Sequence, residues 1–313
     1  MRILKIIALI AVLGAGALAV WYWQASKEVP AEIAEETYAE PVDRFVEVAG
    51  ARIRIREEGP ADAPVLLMLH GFTYSLETWD AWAEILSDRY RVVRYDLLGH
   101  GLTGPDLQER YAPEERAAFV GEVMDALGID QAMIAGNSLG GLAAWRFAGM
   151  APERVEALIL ISPGAYPING VGDDPAEVPG AVVFFLQTAP EAGIRATLPM
   201  LYADPDSVSD ERVTEIGEMM RREGNGAAMV RSLEKFTLPD PDSDLARVTA
   251  PTLILWGEAD QLIPPAHGER LVEALPDARL ITYPDVGHVA QEEAPGPTSE
   301  DAAAFLAAVM AEE

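Results

Sequence analysis

The sequence predicts an α/β fold: a mostly parallel, eight-stranded sheet flanked by helices and interrupted by a helical insertion. Three observations carry this expectation. Short apolar runs alternate with helix-compatible segments along most of the chain, the rhythm of strand–helix–strand crossovers. Val65 to Leu69 is a continuous apolar run, as expected of a strand buried on both faces. Between Pro163 and about Ala250 the rhythm stops, and a stretch rich in Met, Phe and Leu takes its place.

Composition bounds the function. Half of the 313 residues are apolar, enough for a full core in one large domain with a smaller inserted unit. The formal net charge is −28, and such a surface repels phosphate backbones, so nucleic acid is not an expected partner. Lysine occurs only at Lys5, Lys27 and Lys235; arginine and carboxylates carry the charge. The absence of cysteine excludes disulfides, thiolate catalysis and zinc–thiolate sites. No cluster with metal-ligand spacing is visible, and no metal or cofactor is expected.

Arg2 and Lys5 precede an uncharged apolar run from Ile6 to Trp23, ending in Trp21-Tyr22-Trp23. About 20 helical residues span a hydrocarbon core of about 30 Å. Two readings stand: a cleaved signal peptide with Ala17-Leu18-Ala19 at the cleavage site, or an uncleaved anchor with its aromatic trio at the far interface. The length of the run favours an anchor over residues 1–24, with the acidic bulk of the chain on the extracytoplasmic side; cleavage would make the protein secreted or periplasmic. Residues 25–42, rich in Glu and Ala, read as a tether.

The main domain is expected over 43–163 and 250–313. Arg44 to Val48 and Ala51 to Arg56 read as two strands around a tight Ala49-Gly50 turn. In the second, Ile53 and Ile55 alternate with Arg52, Arg54 and Arg56, as in a half-exposed edge pair. Val65 to Leu69 ends at His70-Gly71-Phe72, and Tyr90 to Tyr95 at Asp96 and the Gly99-His100-Gly101 loop. Pro113 to Leu127 reads as a helix, Ala132 to Gly136 as a strand, and Ala157 to Ile161 as the next strand, closed by Ser162-Pro163-Gly164. Thr252 to Trp256 and Arg279 to Tyr283 complete the set. In such sheets ligand chemistry gathers at the carboxyl ends of the strands, where all these loops lie. Residues 164–249, with Phe184-Phe185-Leu186, Met200-Leu201-Tyr202 and Met219-Met220, read as a helical cap over that edge.

The chemistry centres on Gly136-Asn137-Ser138-Leu139-Gly140, which joins a strand to a helix. Glycines two before and two after the apex allow a turn so sharp that a Cβ at either position would clash. The turn presents the serine hydroxyl, and the first N–H groups of the following helix favour negative charge at the same spot. A serine needs a base, and the base needs an orienting partner. Of the four histidines, only His288 lies in a late loop at the carboxyl edge, in the order serine, acid, histidine. Trp256-Gly257-Glu258-Ala259-Asp260 offers two carboxylates, of which position favours Asp260 over Glu258. Asp285 reads as a turn residue, and Asp96 and His100 as structural. The backbone N–H groups of Leu139 and Phe72 are the candidate oxyanion donors, so the Phe72 side chain should matter less than its N–H.

From about Arg44 onward, apart from the insertion, the sequence resembles the α/β-hydrolase fold superfamily. The resemblance rests on His70-Gly71-Phe72, Asp96 with Gly99-His100-Gly101, Gly136 to Gly141, Gly257 to Asp260, and Gly287-His288. It implies a serine carboxylesterase or lipase-like hydrolase, with a small-molecule ester as substrate and an apolar acyl or alcohol group suggested by the Met- and Phe-rich insertion. A serine at the apex, where the related dehalogenases and epoxide hydrolases use a carboxylate, points to acyl transfer. The Asn137-Ser138 pair also resembles carbon–carbon bond hydrolases of aromatic ring-fission products, although Phe72-Thr73-Tyr74-Ser75 is bulkier than their Gly-rich loop. A low-turnover binding protein on the same fold is a further alternative.

Overall fold

The structure, a computed structural model, describes residues 27–312. The expected anchor over 1–24 lies outside the described residues, among which no helix is long and apolar enough to cross a membrane.

Eight strands form one sheet: β1 (Asp43–Val48), β2 (Ala51–Glu58), β3 (Val65–Leu69), β4 (Arg91–Tyr95), β5 (Ala132–Asn137), β6 (Val155–Ile161), β7 (Thr252–Gly257) and β8 (Ala278–Tyr283). Their order is β1-β2-β4-β3-β5-β6-β7-β8. β2 pairs antiparallel with β1 and β4, and every later pair is parallel. Both faces are covered, so side chains of the central strands alternate between two cores. Leu67, Leu69 and Ile134 pack with Phe119 of α3 (Pro113–Ala126) and Leu142 of α4 (Leu139–Met150). Leu66, Met68 and Met133 pack with Trp82 of α2 (Asp80–Leu86) and Leu306 of α12 (Pro295–Glu312). The chain leaves β3 toward β4 on one side and β5 toward β6 on the other. The gap between the ends of β3 and β5 is therefore the topological switch point, where such sheets open a crevice.

The second strand departs from expectation. β2 is an inner strand, and Arg54 and Arg56 are buried, 0% and 2% exposed, while Arg52 faces solvent. Carboxylates account for the difference. Arg54 contacts Asp43 at 2.6 Å, Glu77 at 2.6 Å and Asp96 at 3.4 Å, and Arg56 contacts Asp43 at 2.5 Å. Buried charges persist only when paired and hydrogen-bonded in this way. Burial pushes the Asp96 carboxyl up to about 6 in spite of Arg54. At Glu77 burial is the largest single influence and acts upward, but Arg54 and the hydrogen bond from Ser75 together bring its carboxyl below its ordinary value.

The segment between β6 and β7 carries α5 (Gly180–Thr188), α6 (Glu191–Leu201), α7 (Asp210–Arg221), α8 (Asn225–Lys235) and the short α9 (Asp242–Leu245). Leu186, Ile194, Leu198, Ile216 and Met220 bury against one another and against Tyr74 and Val289 of the sheet's loops.

The expected tether is docked over its described part. Residues 31–38 form α1 (Ala31–Tyr38). Ala34 is buried against Leu102 and Met219, and the Tyr38 hydroxyl donates to Glu218 at 2.7 Å. Ahead of it, Val29 bridges Arg222, with Val29 N donating to Arg221 O at 2.7 Å and Glu223 N to Val29 O at 2.8 Å. Glu-rich composition hid the small apolar stripe that makes this contact.

Candidate active site

Ser138 sits between β5 and α4 with φ 52° and ψ −113°. A β-carbon at Gly136 would lie 2.5 Å from the Gly140 carbonyl oxygen, and one at Gly140 would lie 2.2 Å from that of Leu69. Only glycine admits so close an approach. The strained serine conformation costs on the order of 1–3 kcal/mol and is held by the surrounding bonds. Ser138 N donates to Ile161 O at 3.0 Å, and Ser138 O accepts from Leu142 N at 2.9 Å and Gly164 N at 3.1 Å.

His288 is 2% exposed and reaches the site from the loop after β8. Its Nδ1 lies 2.8 Å from Asp260 Oδ2. The other oxygen, Asp260 Oδ1, accepts from Leu262 N and Ile263 N, each at 2.9 Å. The carboxylate is thus anchored on one side and aimed at the imidazole on the other. His288 Nε2 is buried and has no hydrogen-bond partner among the described residues. His288 and Ser138 line the same cavity. Asn137, next to Ser138, donates from Nδ2 to the carbonyl of His288 at 3.1 Å and to that of Ile161 at 3.1 Å. It ties the histidine loop directly to the serine turn, a role that no sequence pattern signalled.

The other acidic candidates lie elsewhere. Glu258 is exposed and accepts from the Thr282 hydroxyl at 2.9 Å. Asp285 is an exposed turn residue with φ 56°. The remaining histidines also have separate settings. His70 Nδ1 lies 2.7 Å from Gly71 O, and its Nε2 accepts from Leu97 N at 2.9 Å. These two bonds define one neutral tautomer, and burial pulls the imidazole down to about 4. Burial also holds His100 well below its ordinary value. His267 packs edge-on against Tyr166, with centroids 5.4 Å apart.

The loop after β3 lies against the serine turn. A β-carbon on Gly71 would come within 2.8 Å of Asn137 Oδ1 and 3.3 Å of Ser138 Cβ. Glycine there lets the backbone of Phe72 stand beside Ser138. Leu139 opens α4 immediately after the serine, so the two expected N–H donors come from segments flanking one hydroxyl.

The histidine loop is also latched to the helical segment. His288 N donates to Leu201 O at 2.7 Å. Glu293 Oε2 accepts from Gly287 N at 2.6 Å, and its Oε1 from Asp204 N at 3.0 Å. The Tyr202 hydroxyl donates to Glu292 at 2.7 Å, Arg212 donates to the same carboxylate at 2.6 Å, and the Tyr74 hydroxyl donates to that of Tyr202 at 3.2 Å. Burial alone would lower the Arg212 guanidinium, but Glu292 and Glu215 raise it well above its ordinary range. No short-range pattern in the sequence marks Glu292 and Glu293 as partners of these distant segments.

A fold with this switch point, serine turn and buried acid–histidine pair defines the class. The chain belongs to the α/β-hydrolase fold family, which it matches over residues 64–295. It is 32% identical over 274 residues to the dihydrolipoyllysine-residue acetyltransferase component of the acetoin cleaving system of Cupriavidus necator, covering 86% of this chain and 70% of that one. It is 30% identical to a 2-hydroxy-6-oxo-6-phenylhexa-2,4-dienoate hydrolase of Burkholderia cepacia, covering 77% of this chain and 86% of that one. Among solved structures, a membrane phospholipase A described as a bacterial virulence factor superposes with a TM-score of 0.74 over 99% of both chains; at 24% identity this likeness speaks for the fold alone.

Proposed function

We propose that this protein is a serine hydrolase of uncharged carboxylic esters, working through an acyl-enzyme on Ser138. In this reading Ser138 Oγ bonds to the ester carbonyl carbon while His288 Nε2 takes the hydroxyl proton. Asp260 holds the imidazole with its proton on Nδ1 and stabilises the cation. The N–H groups of Phe72 and Leu139 receive the developing oxyanion. His288 passes its proton to the leaving alcohol oxygen as the carbon–oxygen bond breaks. Water, deprotonated by His288, then releases the acid and restores the serine.

The observation that carries this reading is the unpartnered Nε2 of His288, backed by Asp260 at 2.8 Å, on a cavity that Ser138 also lines. Residues 164–249 act as a cap, supplying apolar walls such as Phe185, Leu198 and Met220. The apolar run of residues 6–23 supports attachment of the chain to a membrane.

The second reading, carbon–carbon bond hydrolysis of a ring-fission product, draws on the similarity to the dienoate hydrolase. A dienoate carries a carboxylate, and no lysine or arginine among the described residues lines the cavity. An unpaired buried carboxylate is costly, so the lining favours the neutral ester. The test is hydrolysis of a short nitrophenyl ester and of a dienoate, each with the wild type and Ser138→Ala. Multiple turnover of the ester, lost in the variant, is the expected result. Turnover unchanged by Ser138→Ala overturns the mechanism, and preference for the dienoate replaces the ester reading with the second.

A further inference from the structure

Two cavities meet at Ser138. One, of about 220 Å³, lies beneath the helical segment and is lined by Ser138, His288, Val182, Ile194 and Leu198. The other, of about 240 Å³, is lined by Ser138, Leu139, Ile168, Leu233 and Phe236, and His288 is not among its walls. Phe72 and Leu262 line both. Among the described residues, no aspartate, glutamate, lysine or arginine lines either one.

The position of Phe72 is set on several sides. Its ring meets His100 edge-on, with centroids 5.4 Å apart and planes at 73°. Its carbonyl accepts from the Thr73 hydroxyl at 2.6 Å, and the preceding Gly71 is pressed against Asn137 and Ser138. His100 is fully buried, so the ring rests on a packed surface.

The chemistry gives the two cavities different occupants. The leaving oxygen must receive its proton from His288 Nε2, so the alcohol half of an ester stands on the side of Ser138 where His288 lies. The acyl half then extends to the other side. We propose that the Phe72 side chain divides an alcohol chamber, walled by Val182 and Ile194, from an acyl chamber, walled by Ile168 and Leu233. The substrate class is an uncharged ester with an apolar group on each side of the carbonyl. This assignment rests on the roles given to Ser138 and His288 above, and it makes the Phe72 ring, not only its N–H, a determinant of specificity.

Two ester series test it, followed by pH-stat titration: ethyl esters of acids from acetate to decanoate, and acetates of alcohols from ethanol to decanol. Val182 and Leu233 are half-buried, so each position can be enlarged or reduced. Leu233→Trp should lower the decanoate-to-acetate ratio of kcat/KM about tenfold or more, and Val182→Trp the decyl-to-ethyl ratio by a similar factor. Leu233→Ala and Val182→Ala should move the same ratios upward, which keeps the test decisive if a tryptophan variant does not fold. Phe72→Ala, which retains the N–H, should make each ratio respond to both filling substitutions.

The opposite pairing of variant and series would overturn the chamber assignment. Both ratios moving together in each single variant would overturn the partition. Full turnover by Ser138→Ala would instead overturn the underlying mechanism, whatever the chain length. Loss of turnover in that variant with ratios that no wall substitution moves would overturn the chambers alone.

Discussion

The backbone N–H of His288 donates to the carbonyl of Leu201 at 2.7 Å. The imidazole proposed as the base is therefore seated by the last residue of α6 as well as by Asp260. A β-carbon on the neighbouring Gly287 would lie 2.4 Å from that same carbonyl oxygen, so the two segments touch with no room between them. Whatever moves the end of α6 moves the base.

Glu293 closes this contact from the far side by accepting from Gly287 N and Asp204 N. Glu293→Gln leaves one acceptor oxygen where two are used and removes the charge that strengthens both bonds, a loss of about 1–3 kcal/mol. The expected outcome is a fall in kcat of about tenfold or more, with KM changed less, since the substrate walls are untouched. Steady-state kinetics beside a thermal melt check it; an unchanged kcat would show that the latch does not position His288.

Asp260→Asn should keep the fold, because its side-chain oxygen can still accept from Leu262 N and Ile263 N. The amide nitrogen would then face His288 Nδ1 and favour the wrong tautomer. By the general behaviour of such triads, kcat should drop about 10³–10⁴-fold. Ester turnover with a melting temperature close to wild type is the expected pair of results.

Acid should destabilise the protein through its buried histidines. His70, held near 4, and His100, held well below 6.5, are neutral in the fold but protonate below about 6.5 when the chain unfolds. The unfolded state then binds more protons, so this stability is fully present above about pH 6.5 and is lost as pH falls toward about 4. Asp96 acts in the opposite sense: its raised carboxyl takes up a proton in the fold first, which favours the fold as pH falls below about 6. The difference between wild type and His100→Phe isolates one histidine. Leu98 O keeps a donor in that variant, Arg116 at 3.1 Å. Denaturant unfolding at pH 7 and pH 5 should show a smaller loss of stability in His100→Phe, by up to about 1.4 kcal/mol per pH unit.

Arg54→Met would leave Glu77 and Asp96 without their nearest cation, while Asp43 keeps Arg56 at 2.5 Å. Removing one partner from a buried charge network costs about 3–5 kcal/mol. Asp96→Asn in the same chain should recover part of that loss, since burial already raises the Asp96 carboxyl to about 6, whereas Asp43 and Glu77 are lowered. Chemical denaturation of the single and double variants checks both expectations.

Much of the fold was readable because its signals are local. Val65–Leu69 forms β3 with the expected bounds, and Ala132 to Gly136 falls within β5, since apolar runs and glycine turns act over a few residues. The serine turn was equally legible, because its glycines answer a steric demand within five positions. Arginine alternation on β2 misled, because a solvated face and a buried ion cluster share one pattern until Asp43, Glu77 and Asp96 are seen to converge. The latch through Tyr202, Glu292 and Glu293 joins segments about 90 residues apart, and no spacing rule reaches that far.

The strand-like bridge between Val29 and Arg222, with the Glu28 carboxylate accepting from Gly224 N at 3.0 Å, bears on how the protein is to be produced. A recombinant version begun at Asp43, where the sheet starts, would strip these bonds from the junction of α7 and α8 and uncover Met219. Expression boundaries drawn from the matched region alone would cut inside the cooperative unit. The shortest version worth purifying begins upstream of Glu28.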